Sequence, residues 1–216
     1  MDFMKKYEYW LNSDSIDEKD KEELRGLKDN PKEIEDRFFK DLSFGTGGIR
    51  GVRGIGTNRI NKYVIRKATQ GLANYMLTFN EKEAKEQGII IAHDCRIGSR
   101  EYALNTARVM AANGIKAYIY EDLRSTPELS FGVRYKGTMA GIVVTASHNP
   151  VEYNGYKVYW NDGAQVVDPH ATLIVDEVNK ISTLEEIKVI SEENGREKGL
   201  IIQLDNKIDD DYIKEI

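Results

Sequence analysis

A hydroxyl, an imidazole and an amide stand side by side at Ser147, His148 and Asn149, framed by Thr145-Ala146 and Pro150. The apolar run Gly141-Ile142-Val143-Val144 just before them reads as a buried strand. Ser147 is therefore expected where the chain leaves a sheet, which in open α/β folds is where ligands bind. Pro150 has no amide hydrogen for a ladder and stops the strand. A hydroxyl presented in this way suits a serine that carries a transferable group. The same residues also fit a plain strand-ending turn, because Ser and Asn bond their own backbone in turns.

A second candidate is Phe44-Gly45-Thr46-Gly47-Gly48-Ile49-Arg50-Gly51. The dinucleotide fingerprint needs a glycine where Arg50 stands, and a strand before it that the pattern lacks. A P-loop read from Gly51 needs a lysine where Thr57 stands. Both nucleotide readings fail on spacing. What remains is a glycine-rich loop, Gly45 to Gly56, of thinly covered backbone amides plus one guanidinium. Backbone amides in such a loop suit a phosphate, and Arg50 offers a planar fork for its oxygens. A flexible turn is the plainer alternative.

The elements that must position these residues follow from periodicity and caps. Ser15-Ile16-Asp17-Glu18 reads as a capping box opening a helix. Asn30-Pro31 opens another, with Ile34, Phe38 and Leu42 on one face. Val64, Ile65, Ala68, Leu72, Tyr75, Met76 and Phe79 fall at helical spacing. From Gly88 strands alternate with helices. Ile89 to Ala92, Ile115 to Tyr120 and Met139 to Thr145 read as strands, and helices start at Ser99 and at Thr126-Pro127. That alternation predicts an α/β fold with a mainly parallel mixed sheet covered by helices. Asn154-Gly155, inside the aromatic run Tyr153 to Trp160, is a hairpin signal and predicts a local antiparallel addition. Asp168-Pro169 opens a further helix, and Leu200 to Leu204 is one more strand.

Composition narrows the function classes. The chain has 216 residues, 40% of them hydrophobic, and a formal net charge of -5. The acidic balance argues against non-specific binding to nucleic acid or an anionic membrane. No apolar run approaches a membrane span, and no apolar signal-peptide core follows the N-terminus. Cys95 is the single cysteine, so no internal disulfide forms. These features fit a reducing, cytoplasmic location.

Taken together and in this order, Phe44 to Gly51, Thr145 to Pro150 and Asn154-Gly155-Tyr156-Lys157 resemble the α-D-phosphohexomutase superfamily of phosphoglucomutases and phosphomannomutases, in its N-terminal domain. Lys157, Tyr159 and Gly163-Ala164-Gln165 are most similar to the branch that includes phosphopentomutase-type enzymes. The resemblance implies a phosphoserine mechanism, with Ser147 donating a phosphoryl group to a sugar monophosphate. A sugar 1,6-bisphosphate forms, turns over and returns its other phosphate, so that phosphate moves between C1 and C6, or C5 of a pentose. It further implies that Ser147, His148 and Lys157 are catalytic, with Lys157 as general acid/base. A lysine that is partly desolvated beside other cations loses its proton more easily. His148 either contacts the phosphoryl group or orients the loop. Thr46, Arg50 and Asn149 are implied as substrate or phosphate contacts, Asn149 alternatively as a turn former. Mg²⁺ is implied as cofactor, bound to Ser147 through its phosphoryl oxygen.

On this reading the chain comprises an N-terminal helical extension (1–43), a phosphoserine-bearing α/β domain I (44–198) and the start of a second domain (199–216). Family members carry a metal loop of the type Asp-Gly-Asp-x-Asp-Arg, which this chain lacks. The chain is therefore expected to be the N-terminal part of a mutase, inactive alone, whose partners are a sugar-phosphate substrate and the remaining domains of the same chain. A non-catalytic phosphosugar-binding or regulatory domain that retains the fold is the alternative. A serine hydrolase is disfavoured, because Ser147 and His148 are adjacent and neighbouring side chains on an extended segment point apart.

Overall fold

A computed structural model of the chain describes residues 2–45 and 47–216. Thr46, one of the expected phosphate contacts, lies outside the described residues. Six strands form one mixed sheet: β1 (Gly48–Val52), β2 (Ile89–His93), β3 (Ala117–Ile119), β4 (Ala140–Val144), β5 (Tyr153–Trp160) and β6 (Ile201–Gln203). Their spatial order is β1-β5-β4-β2-β3-β6. β4, β2, β3 and β6 run parallel, and β5 is antiparallel to both β4 and β1. The central strands β2 and β4 are buried at every residue, which is why they read as unbroken apolar runs rather than alternating ones.

Side chains alternate across these strands and build two cores. Ile89, Ile91, Ile142, Val144, Tyr156 and Val158 project into one, under α4 (Lys62–Gln87), α5 (Ser99–Ala112) and α7 (His170–Lys180). Ile90, Ala92, Val143 and Tyr159 project into the other, against Leu129 and Val133 of α6 (Thr126–Lys136). The periodic run ending at Phe79 is the long first part of α4. Asn80 leaves helical geometry, and its side chain recaps the chain by accepting from the Glu83 amide.

Three helices precede the sheet: α1 (Phe3–Asn12), α2 (Glu18–Arg25) and α3 (Pro31–Phe38). They close a third core with Tyr63 of α4, in which Trp10 meets Phe38 and Tyr63 edge-on at 5.7 and 5.5 Å. Such pairs are worth about 0.5–1.5 kcal/mol each beyond the area they bury. Glu185 ties this layer to the far end of the sequence. Tyr9 and Ser13 donate to its carboxylate at 2.6 and 2.7 Å, and Ser15 at 3.3 Å.

Several local expectations are corrected. α2 is opened by Asp17, not by a box at Ser15, whose hydroxyl is committed to Glu185. Leu42 lies past the end of α3 and packs on the main core instead. α6 starts from a complete capping box at Ser125 and Glu128, one residue before Thr126. The glycine-rich segment is not all loop, since Gly48–Val52 is a strand paired with β5. Asn154-Gly155 makes no turn either. It sits inside β5, and the β4–β5 connection is the segment that carries Ser147. Residues 199–216 hold one strand and one helix. β6 pairs with β3, and α9 (Lys207–Glu215) rests on α6. Between β6 and α7, the polar stretch holds a short helix, α8 (Glu192–Glu197), that packs on α5.

Two outcomes follow. Hydrogen bonds from Tyr9 and Ser13 hold the Glu185 carboxyl down to about 2, from an ordinary 4.5. A depressed carboxylate contributes stability above its unfolded value and loses it as pH falls through the folded one. The thermal midpoint should therefore drop between pH about 5 and about 3 in the wild type, and less steeply in E185Q. Second, a Cβ on Gly155 would lie 2.4 Å from the Thr145 carbonyl oxygen. G155A should cost about 1–3 kcal/mol in urea unfolding through overpacking. An unchanged midpoint would show that this strand spacing is not limiting.

Candidate active site

Three loops leave the carboxyl ends of the parallel strands β2, β3 and β4 and enclose a cleft of about 560 Å³. Its walls include Asp94 and Arg96 after β2, Arg124 and Thr126 after β3, and Ser147 and Asn149 after β4. This is the crevice position that parallel α/β sheets offer to ligands. Ser147 is exposed at its mouth, as the strand-end reading predicts.

Ser147 is the one non-glycine residue with positive φ among the described residues, at 56°. For a serine this left-handed geometry is disfavoured unless the surroundings impose it. Thr145 helps, because its hydroxyl accepts from the Ser147 amide at 2.9 Å. The backward twist also changes how the neighbouring side chains stand. Ser147 Oγ and His148 Nδ1 come within 3.4 Å, where an extended segment would splay them apart. The grounds first used against a hydrolase are thus corrected. The contact is nonetheless long for a hydroxyl–imidazole hydrogen bond, and among the described residues no third group orients His148, which is exposed.

Arg50 and Lys157 are brought together by register. Arg50 pairs with Gly155, whose carbonyl accepts from the Thr145 amide at 3.0 Å, and Gly48 pairs with Lys157. Arg50 and Lys157 are therefore diagonal neighbours on one face of adjacent strands. That face is also Val143's, since Val143 pairs with Lys157 and lines the cleft. Partial burial pushes the Lys157 ammonium below its ordinary range, the Arg50 charge pushes it further, and Asp94 partly opposes both. Arg50 itself is exposed. The Asn149 amide donates to the Ala146 carbonyl, which shapes the turn. Its side-chain oxygen is buried with no hydrogen-bond partner among the described residues.

Asp94 and Arg96 were not singled out by sequence, yet they organise the loop. Arg96 Nη2 donates to the carbonyls of Ser147 at 2.8 Å and Asn149 at 2.6 Å. Its Nη1 donates to those of Pro150 at 2.8 Å and Tyr153 at 3.1 Å. Asp94 Oδ1 accepts from the Arg96 amide and from the Ser99 hydroxyl, and Asn154 Nδ2 donates to that same hydroxyl at 2.9 Å. Ser99 is thus a buried link rather than the helix cap its position suggests. The only hint in the sequence was an Asp-x-Arg following a strand end, which by itself is common. His93 and His170 stay outside the site. His93 is buried against the Asp94 carbonyl, and His170 stacks on Trp160 at 4.4 Å.

The metal question can be put to the same residues. Among the described residues no group of three or more His, Cys, Asp or Glu side chains is placed to hold an ion. The exposed Ser147 hydroxyl fits the single ligand expected of this chain, an oxygen of an attached phosphoryl group.

A family model described as phosphoglucomutase/phosphomannomutase, alpha/beta/alpha domain I, matches residues 41–185. The phosphoglucomutase of Staphylococcus haemolyticus (strain JCSC1435) is 39% identical over 182 residues, covering 84% of this chain and 32% of the relative. That of Staphylococcus aureus (strain bovine RF122 / ET3-1) is 40% identical over 185 residues, covering 85% of this chain and 32% of the relative. The chain thus spans about a third of the length of these curated relatives. A solved phosphoglucomutase/phosphomannomutase family protein from Burkholderia thailandensis shares the fold, with a TM-score of 0.59 at 22% identity over 81% of this chain and 35% of that one. With its cleft at the strand ends and the profile covering both the glycine-rich strand and the serine loop, the chain belongs to the phosphoglucomutase/phosphomannomutase family and carries its domain I.

Proposed function

We propose that Ser147 is the phosphoryl carrier of a phosphosugar mutase, whose other domains are supplied by a longer chain. The observation that carries this reading is the exposed Ser147 hydroxyl, held in left-handed geometry at the mouth of the strand-end cleft. Strained residues cluster at sites of chemistry, and positioning supplies most of phosphoryl-transfer catalysis. The cycle moves phosphate between C1 and C6 of a hexose, or C5 of a pentose, through a sugar bisphosphate. In the first half, a sugar hydroxyl oxygen bonds to phosphorus as the bond between Ser147 Oγ and phosphorus breaks. The hydroxyl proton passes to a base. Returning the other phosphate reverses these events.

Lys157 is the proposed base and acid. Its depressed proton affinity lets it accept a hydroxyl proton at lower pH than a solvated lysine does. Arg50 is proposed to hold phosphate oxygens through its fork. His148, beside Ser147 Oγ, is proposed to contact the phosphoryl group. The bare acceptor of Asn149 suits a sugar hydroxyl better than a phosphate oxygen. Thr46 remains a proposed phosphate contact. Mg²⁺, bound through the phosphoryl oxygen on Ser147 and carboxylates from elsewhere in the longer protein, would supply neutralisation of the charge on the transferring group. By itself this chain is proposed not to turn sugar phosphates over. A cytoplasmic location is proposed with it, and no helix among the described residues is long and apolar enough to cross a membrane.

A non-catalytic phosphosugar-binding domain would use the same cleft without covalent chemistry. A phosphopeptide map of the longer protein separates the two. Incubation with glucose 1,6-bisphosphate and Mg²⁺ should place phosphate on Ser147, and a hexose monophosphate should remove it. No phosphate on Ser147 under either condition would favour the binding domain. The Arg50 charge lowers the Lys157 proton affinity, so R50M should raise it. The ammonium signal of Lys157, followed by nitrogen NMR, should titrate at higher pH in R50M than in the wild type. An unmoved midpoint would separate the two residues electrostatically.

A further inference from the structure

We propose that Arg96 is a positioning residue whose guanidinium clasps the Ser147 loop and holds Ser147 in the left-handed conformation that offers its hydroxyl to the cleft. The four carbonyls that Arg96 holds belong to Ser147, Asn149, Pro150 and Tyr153, so one planar group spans the whole β4–β5 connection. Its side chain is 13% exposed, with Nε 3.4 Å from Asp94 Oδ2. Asp94 is itself fixed by the Arg96 amide and by Ser99, and Ser99 by Asn154 of β5. The clasp is therefore anchored to the sheet on both sides of the loop it grips.

The energetics favour this role over ordinary packing. A left-handed serine is disfavoured and persists only where the surroundings over-determine it. Hydrogen bonds from a charged donor are stronger than those from a neutral one. Thr145 alone supplies one neutral bond to the Ser147 amide, and the carbonyl side of the peptide is held by Arg96. Lysine cannot reproduce the grip, because an ammonium is a point donor where the loop meets a planar fork. Within the loop Arg96 bonds to backbone carbonyls only, which leaves the Ser147 hydroxyl outside its grip.

The consequence for transfer rests on the mutase reading, whereas the clasp itself does not. The test uses wild type, R96K and R96A. In this chain, amide NMR should show Ser147 with left-handed carbon shifts and residues 147–150 as rigid as the strands. R96A should mobilise those residues while signals of β2 and β4 stay in place, R96K should do so in part, and added guanidinium ion should restore rigidity to R96A. If R96A fails to fold, R96K carries the comparison alone. A loop equally rigid and left-handed in the variants would overturn the proposal. In the longer protein, kcat for sugar-phosphate interconversion should fall by about 100-fold in R96A, the order expected from an ångström of misplacement. KM should change little, and guanidinium should rescue the rate. An unchanged kcat would also overturn the positioning role. A wild-type protein that takes no phosphate on Ser147 would sink the mutase reading and leave the clasp to be judged by NMR alone.

Discussion

The site depends on how closely two antiparallel strands approach where β4 ends. Thr145 and Gly155 meet backbone to backbone, with the Thr145 amide bonded to the Gly155 carbonyl at 3.0 Å. Any side chain at Gly155 would collide with the Thr145 carbonyl. Beyond this contact the chain must reverse between two paired strands, and Ser147 takes up the reversal with its positive φ. On the other side, β1 closes against β5 equally tightly, since a Cβ on Gly48 would lie 1.9 Å from the Tyr156 carbonyl oxygen. Gly48 of the first motif thus serves strand pairing. Bringing β1 against β5 is what sets Arg50 beside Lys157.

Electrostatics then concentrate charge that the composition hides. The whole chain is acidic, at -5, yet Arg50, Arg96 and Lys157 come from β1, the β2 end and β5 around one strand-end region. Arg124 on the cleft wall is different. Asp209 of α9 pairs with it in a fork at 2.6 and 2.9 Å, so it acts as a strut between wall and helix. Among the described residues Arg50 has no such partner, and it is exposed.

The N-terminal helices bear on the site only indirectly. Their core reaches Tyr63 and Ile55, at the two ends of the segment linking β1 to α4. Tyr63 donates to Asp20 at 2.6 Å and accepts from the Asp17 amide at 2.8 Å. Arg37 reaches the Ile55 carbonyl, and Asn61 bridges the carbonyls of Gly54 and Gly56. The irregular stretch after β1 is pinned from both sides, and with it the edge strand that bears Arg50.

Local sequence determined what depends on neighbours along the chain. The buried strands β2 and β4 were legible from unbroken apolar runs, the long helix from its period, and the exposed serine from a strand followed by Pro150. The cap of α3 was legible from Asn30-Pro31. Misreadings arose wherever a residue's partner lies far away. Asn154-Gly155 carries the local preference of a turn, but pairing on both edges holds it extended, and Asn154 spends its side chain on Ser99. The glycine-rich segment reads as loop by composition and is a strand because β5 accepts it. Arg96 was invisible because its partners are backbone carbonyls some fifty residues on, and carbonyls carry no sequence signature. Sequence alone determined that a serine would stand at a strand end among groups suited to phosphate. Tertiary structure decided its left-handed geometry and the cations around it, because both are imposed by strands and side chains that meet only when the sheet closes.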